Sequence, residues 1–296
     1  GANSYNVAVG YLSGSSVTTG VRNTLIGGLA GDAITTGSDN LVLGYNAGGA
    51  MTSAQQNTAI GVYAADAITT GTANVALGYN ALTASLDGDF NTALGYKALE
   101  DYEDGDGNGH NTAVGAKSQL NATTGEFNTS LGSLSMGAGA TTGNSNVAVG
   151  YQSGQALTSG TLNTIIGGLA GSALTTAANN VAIGYAALSS EVAGPDNVAI
   201  GYFAMGSTDN ARANVAIGYA ALQNLDYDSL TYSHNIGIGF NVGNNITTGT
   251  LNTLIGGLAG DALTTGSNNV ASGYNSLGNT TVGSDNIAIG ATTLES

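Results

Sequence analysis

The chain has 296 residues, with 48 glycines, one proline, no cysteine and no tryptophan; 19 acidic residues against four basic ones leave a formal charge of -15. Without cysteine there is no disulfide framework and no thiolate nucleophile or metal site, and four scattered basic residues make no footprint for nucleic acid or an anionic membrane. A hydrophobic content of 42% is too high for a disordered acidic chain, the glycines lack the every-third-residue period of collagen, and no run approaches the 18 apolar residues that span a bilayer.

The sequence opens without an initiator methionine or signal peptide, so it reads as a mature or excised piece of something longer. From the amino terminus, Asn6-Val7-Ala8-Val9-Gly10 is the first copy of a motif, Asn-x-small-aliphatic-Gly, whose Asn returns 16 more times, ending at Asn286. Of the 16 intervals, 13 are 17 residues; the others are 20 (91 to 111), 18 (128 to 146) and 21 (214 to 235). The fifth position is Gly in every copy (Gly10, Gly27, on to Gly218 and Gly290), and the eighth is always small or β-branched, as at Ala30. A second apolar position follows at Val17, Ile34 and Ile68, often leading into Thr-Thr-Gly. The two short apolar stretches alternate with period two between Gly and Asn punctuation, which predicts two strands per repeat and no helix.

Identical repeats stack, so the pattern predicts one all-β domain over 1–296: a parallel β-solenoid, or β-roll, of about 17 coils. At about 4.8 Å per coil it would be a rod roughly 80 Å long. In this reading the fourth-position aliphatics, Ile26 and Ile217 among them, form the buried column, and Ala30 marks a core too narrow for more. Gly10, Gly27 and Gly218 turn a corner that needs positive φ, and the column beginning at Asn6 stacks as a ladder of side-chain amides.

The longer intervals predict loops near 100–110 and 223–234. In the first, Asp104-x-Asp106-x-Asn108-Gly109 has the spacing of the first half of a calcium loop, so Asp104, Asp106 and Asn108 are candidate Ca2+ ligands; the bidentate Glu expected at the twelfth position is replaced by Gly115. The block Asn-Thr-Leu/Ile-Ile-Gly-Gly-Leu-Ala-Gly at 23–31 recurs at 163–171 and 252–260, a duplication that suits shaft building. The second loop gathers Asp226, Tyr227, Asp228, Tyr232 and His234, a set able to contact carbohydrate or a receptor. The sixth position is aromatic in ten copies, from Tyr11 to Tyr274, and serves either as a sugar-stacking platform or as packing against neighbouring chains. His110 and His234 lie about seven coils apart in such a solenoid, so no His-His metal site or Ser-His-Asp triad forms within one chain. Neighbouring acids such as Asp226 and Asp228 are commonplace in exposed loops, and an enzyme is not expected.

The elements Asn-Val-Ala-Ile-Gly-Tyr-x-Ala-Leu (214–222) and Thr-Thr-Gly-x-x-Asn (247–252) resemble repeats of bacteriophage tail fibres and related tail-fibre-domain proteins. The Val-Ala-Ile-Gly core is also similar to trimeric autotransporter adhesin (YadA-like) heads, whose coils are generally shorter. The resemblance implies a homotrimer on an extracellular fibre, of a virion or a cell surface, that presents loops or a tip to host-surface glycan or receptor. A bacterial adhesin head is the alternative. An ice-binding solenoid is a second, weakened because the recurrent Thr-Thr pairs are interrupted and adjacent Thr residues point to opposite faces.

Overall fold

The computed structural model describes residues 4–103 and 108–294. All regular structure among them is β, and the chain forms two compact units, Gly1–Ser145 and Asn146–Ser296. The first contains β1 (Val7–Val9), β2 (Thr24–Ile26), β3 (Leu41–Leu43), β4 (Thr58–Ile60), β5 (Val75–Leu77), β6 (Thr92–Leu94), β7 (Thr112–Val114) and β8 (Thr129–Leu131). The second contains β9 (Val147–Val149), β10 (Thr164–Ile166), β11 (Val181–Ile183), β12 (Val198–Ile200), β13 (Asp209–Arg212), β14 (Val215–Ile217), β15 (Asp226–Tyr232), β16 (Ile236–Ile238), β17 (Thr253–Ile255), β18 (Val270–Ser272) and β19 (Ile287–Ile289).

Each unit is a parallel β-solenoid. From β1 to β8 every strand pairs in register with the one a coil away, Val7, Ala8 and Val9 lying opposite Thr24, Leu25 and Ile26. The same pairing runs from β9 to β19, with β13 and β15 set aside as a separate two-stranded sheet.

Backbone chemistry limits the repeat strand to three residues. The residue before the ladder Asn is left-handed, as at Arg22 (φ 58) and Asp39 (φ 64), and the closing Gly27 has φ 137. A Cβ on Gly27 would overlap the backbone carbonyl of Gly44 in the next coil, so only glycine fits that corner. Two further left-handed corners follow, at Leu29 (φ 59) and Gly31 (φ 56).

The expected second strand does not form. Around the Thr-Thr-Gly element three successive N–H groups, of Thr35, Thr36 and Gly37, converge on the single carbonyl of Thr52 at 2.9, 3.1 and 3.2 Å. A ladder offers each donor its own acceptor, so this stretch is a bend.

The inward column also differs from the expectation. Leu25, in the middle of β2, is fully buried, while Ile26 beside it is 38% exposed. Likewise Ala216 is fully buried, whereas Ile217 is only partly covered. A three-residue strand with its middle side chain inward must turn both flanking side chains outward. The core therefore consists of positions three, eight, nine and twelve, and the fourth-position aliphatics form an outer face.

Ala30, at the eighth position, is fully buried as expected of a narrow core. Positions nine and twelve exchange volume across that core. Gly31 faces Ile34, Gly48 faces Met51 and Gly171 faces Leu174, whereas Leu82 accompanies Ser85 and Met205 accompanies Thr208. A Cβ on Gly31 would stand 2.8 Å from Ile34 Cδ1 and 2.9 Å from Leu25 Cδ2, so in this coil one large side chain excludes the other; the coils of Leu99 with Tyr102 and of Leu222 with Leu225 bury two large apolar ones.

Along one corner the asparagines form the amide ladder. Asn23 Nδ2 donates to the carbonyl of Gly37 at 2.9 Å, and Asn23 N–H donates to Asn6 Oδ1 at 2.8 Å. Asn40 in turn donates its N–H and its Nδ2 to Asn23 Oδ1, both at 3.0 Å. Asn91 Nδ2 is buried without a partner among the described residues, but coil neighbours satisfy the amides of Asn23 and Asn40, which is what permits a polar column inside the fold.

Candidate functional site

The outward side of the repeat strands is apolar. In four successive coils the second, fourth and sixth positions are Val181, Ile183 and Tyr185; Val198, Ile200 and Tyr202; Val215, Ile217 and Tyr219; and Ile236, Ile238 and Phe240. The four rings are exposed and form a continuous stack, with centroids 5.5, 5.2 and 5.2 Å apart and planes within 19° of parallel. In the first unit Tyr45, Tyr63, Tyr79 and Tyr96 make a second run. There Val62 occupies the sixth position, and Tyr63 supplies the ring from the seventh. The columns beside these rings carry no charged residue in any copy, although the second position is Thr in seven of the 17 copies and the fourth is Ser272 in one.

A second aromatic pile was not evident from the motif. His110 lies between Phe90 and Phe127, with centroids 4.9 and 5.1 Å away and interplanar angles of 13°. All three precede the ladder Asn of successive repeats and share the left-handed corner, which stacks their side chains. The signal was present as Phe-Asn, His-Asn and Phe-Asn at consecutive coil starts.

Of the candidate calcium ligands, Asp104 and Asp106 lie outside the described residues. Asn108 is exposed and bridges Asp89, and its carbonyl accepts a hydrogen bond from the buried Tyr102 hydroxyl at 3.2 Å. Among the described residues no three acidic or histidine side chains are grouped to hold a metal.

The segment expected as a loop near 223–234 contains β15, which pairs in parallel with β13 and shifts register between Asp209 and Ala211. Asp226, Asp228, Tyr232 and His234 are exposed. Tyr227 is 5% exposed: its hydroxyl donates to the Gly249 carbonyl at 2.8 Å and accepts from Asn235 Nδ2 at 3.3 Å, and burial raises its pKa. Tyr227 therefore anchors β15 and is removed from the contact surface. The Arg212 guanidinium sits 3.6 Å from the centroid of Tyr232, and His234 stacks parallel at 5.6 Å. The cluster thus presents two exposed rings and, on the same strand as Tyr232, two exposed carboxylates, over a guanidinium that is only 20% exposed and lies 3.8 Å from Asp196 Oδ2.

Glu191 occupies the twelfth, core-facing position of its coil, where others carry Leu or Ile, and is fully buried. Its Oε1 accepts from Gly194 N–H at 2.7 Å and Ala193 N–H at 3.2 Å, and its Oε2 from Ala211 N–H at 3.1 Å. Burial raises its pKa, the three N–H donors oppose the rise and Asp209 adds to it. The carboxylate organises the bend after it and touches no open surface.

The threonine pairs are engaged within the fold. Thr18, Thr35, Thr52 and Thr69 each donate their hydroxyl to the carbonyl one coil on, at 2.9–3.1 Å. No helix among the described residues is long and apolar enough to cross a membrane. A search of protein-family models and of curated proteins finds no match to this chain.

Proposed function

We propose that the chain is the shaft or head of an extracellular homotrimeric attachment fibre, of a phage tail in preference to a bacterial surface adhesin, and that it acts without catalysis. The carrying observation is the outer face: aliphatic columns and stacked rings, free of charge, that a single copy leaves in water. Such a face is stabilised by burial against further copies, at roughly 25 cal/mol for each Å² of apolar surface removed from water. The exposed cluster of Asp226, Asp228, Tyr232 and His234, over Arg212, is then the side available to host-surface carbohydrate, which aromatic and acidic groups recognise together. Ice binding is less well supported, because the first hydroxyl of the Thr pairs named above is committed to the next coil.

Light scattering after size exclusion tests the reading. The expected mass is about 87 kDa, three times the 28.9 kDa of one chain; a monomer at 28.9 kDa overturns it. The same run in chelator tests Asp104, Asp106 and Asn108 as calcium ligands. A shift in mass or melting temperature is expected, and identical traces exclude a calcium role in assembly and folding.

A further inference from the structure

Beside the ring run of the first unit, one cluster brings together an amine, a carboxyl and a primary amide. Asn80 and Lys97 are both the seventh residue of their repeats and lie on neighbouring coils, where Lys97 N–H donates to the Tyr79 carbonyl at 2.9 Å. Glu100 Oε1 receives both side chains: Lys97 Nζ is 2.9 Å away and so is Asn80 Nδ2. The two nitrogens are therefore at most 5.8 Å apart, twice that distance. The site is partly shielded from water, with the Lys97 and Glu100 side chains 29% and 16% exposed and Nζ 5.8 Å from the Tyr96 ring centroid. Asn80 Oδ1 is buried and has no hydrogen-bond partner, which leaves the amide carbonyl without a donor to satisfy it. One pair earlier in the chain, Asn46 Nδ2 donates to Asp66 Oδ2 at 3.3 Å across the equivalent positions, with no amine present. An amide and an acid suffice to clamp two coils, so the lysine is the added element.

We propose that Lys97, Glu100 and Asn80 form an intramolecular amide cross-link, in which Lys97 Nζ bonds to Asn80 Cγ and Asn80 Nδ2 leaves as ammonia. Glu100 carries the protons. The lysine ammonium first passes a proton to Oε1, and the neutral amine attacks Cγ. As the tetrahedral centre collapses, the Cγ–Nδ2 bond breaks while Nδ2 takes a proton from Glu100. Nζ loses two protons in all: one departs with Nδ2 as ammonia and the other converts that ammonia to ammonium in water. No oxidant or cofactor is required. Holding the three groups on adjacent coils supplies the proximity that such an attack needs. The hydrogen bond to Glu100 keeps the Lys97 amine protonated above its ordinary range, so the internal proton transfer to Oε1 limits the rate and the reaction is slow.

Intact-mass spectrometry of the purified chain, fresh and after prolonged incubation at neutral pH, tests this. Linked molecules are lighter by one ammonia, about 17 Da, and their fraction grows with incubation time. Peptide mapping joins Lys97 to Asn80, while the Asn46 peptide stays unlinked. Lys97→Met and Glu100→Gln, checked by circular dichroism to fold as the parent does, retain the full mass. The proposal is overturned if the parent keeps its full sequence mass under both conditions. It is equally overturned if the loss persists in Lys97→Met, which would assign it to asparagine cyclisation elsewhere, or in Glu100→Gln.

Discussion

Each ladder asparagine serves three coils at once, so its removal is felt beyond its own turn. Asn252 donates Nδ2 to Asn235 Oδ1 at 3.1 Å and to the Gly266 carbonyl at 2.9 Å, and its Oδ1 accepts from Asn269 N–H at 3.0 Å. Asn252→Ala strands a buried carbonyl and a buried N–H, and is expected to cost about 3 kcal/mol in urea unfolding. Glu191 gives a pH signature. Burial raises its pKa in the fold above the ordinary 4.5, so the native state holds the proton that the unfolded chain releases. Stability from this group is present at low pH and is lost as pH rises through the raised value. In Glu191→Gln the buried group no longer ionises. Its stability relative to the parent is therefore expected to improve as pH rises above the ordinary 4.5, read as the difference in urea midpoints; a flat difference contradicts the burial account.

The coil cross-section at Gly31 tolerates exchange but not addition. Gly31→Leu puts a side chain where Ile34 and Leu25 already stand, and is expected to destabilise by about 1–3 kcal/mol. Adding Ile34→Ser and Leu25→Ala reproduces the Ala76, Leu82 and Ser85 arrangement, and is expected to recover most of that loss in thermal melts. If the triple variant melts no higher than Gly31→Leu alone, the two positions do not share a volume. The solenoid class, the coil length, the glycine corner and the amide column were all legible from the repeat, because each needs one residue type at one position. The direction of the strand was not. Asn-Val-Ala-Ile-Gly alternates equally well with either set inward, and aliphatic size pointed to Ile217 when geometry places Ala216 inside. The bend at Thr35-Thr36-Gly37 was also hidden, since nothing in its composition reveals three donors sharing one acceptor. At the candidate site the exposed acids, Tyr232 and His234 were readable. The inward turn of Tyr227 was not, because it depends on a carbonyl 22 residues away.

If copies assemble through the outer face, as proposed, that face makes a sharp contrast between neighbours in sequence. Ile217→Asp places a charge on the outside of the coil, and is expected to leave cooperative melting intact while lowering the solution mass toward 28.9 kDa. Ala216→Asp places the same charge in the core and is expected to abolish folding, because an unpaired buried carboxylate has no partner there. If both variants remain trimeric, the outer face is not the contact between copies. The charge of -15 per chain opposes assembly through repulsion. Added salt is therefore expected to tighten the proposed trimer, seen as a lower dissociation concentration in sedimentation.

Where the ninth and twelfth positions exchange volume, as in the coils of Gly31 and Leu82, the coil is a module of constant bore. Whichever residue fills it, a coil presents the same strand, the same amide and the same glycine corner to the turns on either side. Whole 17-residue segments can therefore be copied, deleted or reordered without retuning their neighbours, as the three near-identical blocks at 23–31, 163–171 and 252–260 suggest has happened. Novelty in such a chain enters through added length: the 21-residue interval from Asn214 to Asn235 is where β15 and its exposed carboxylates arise.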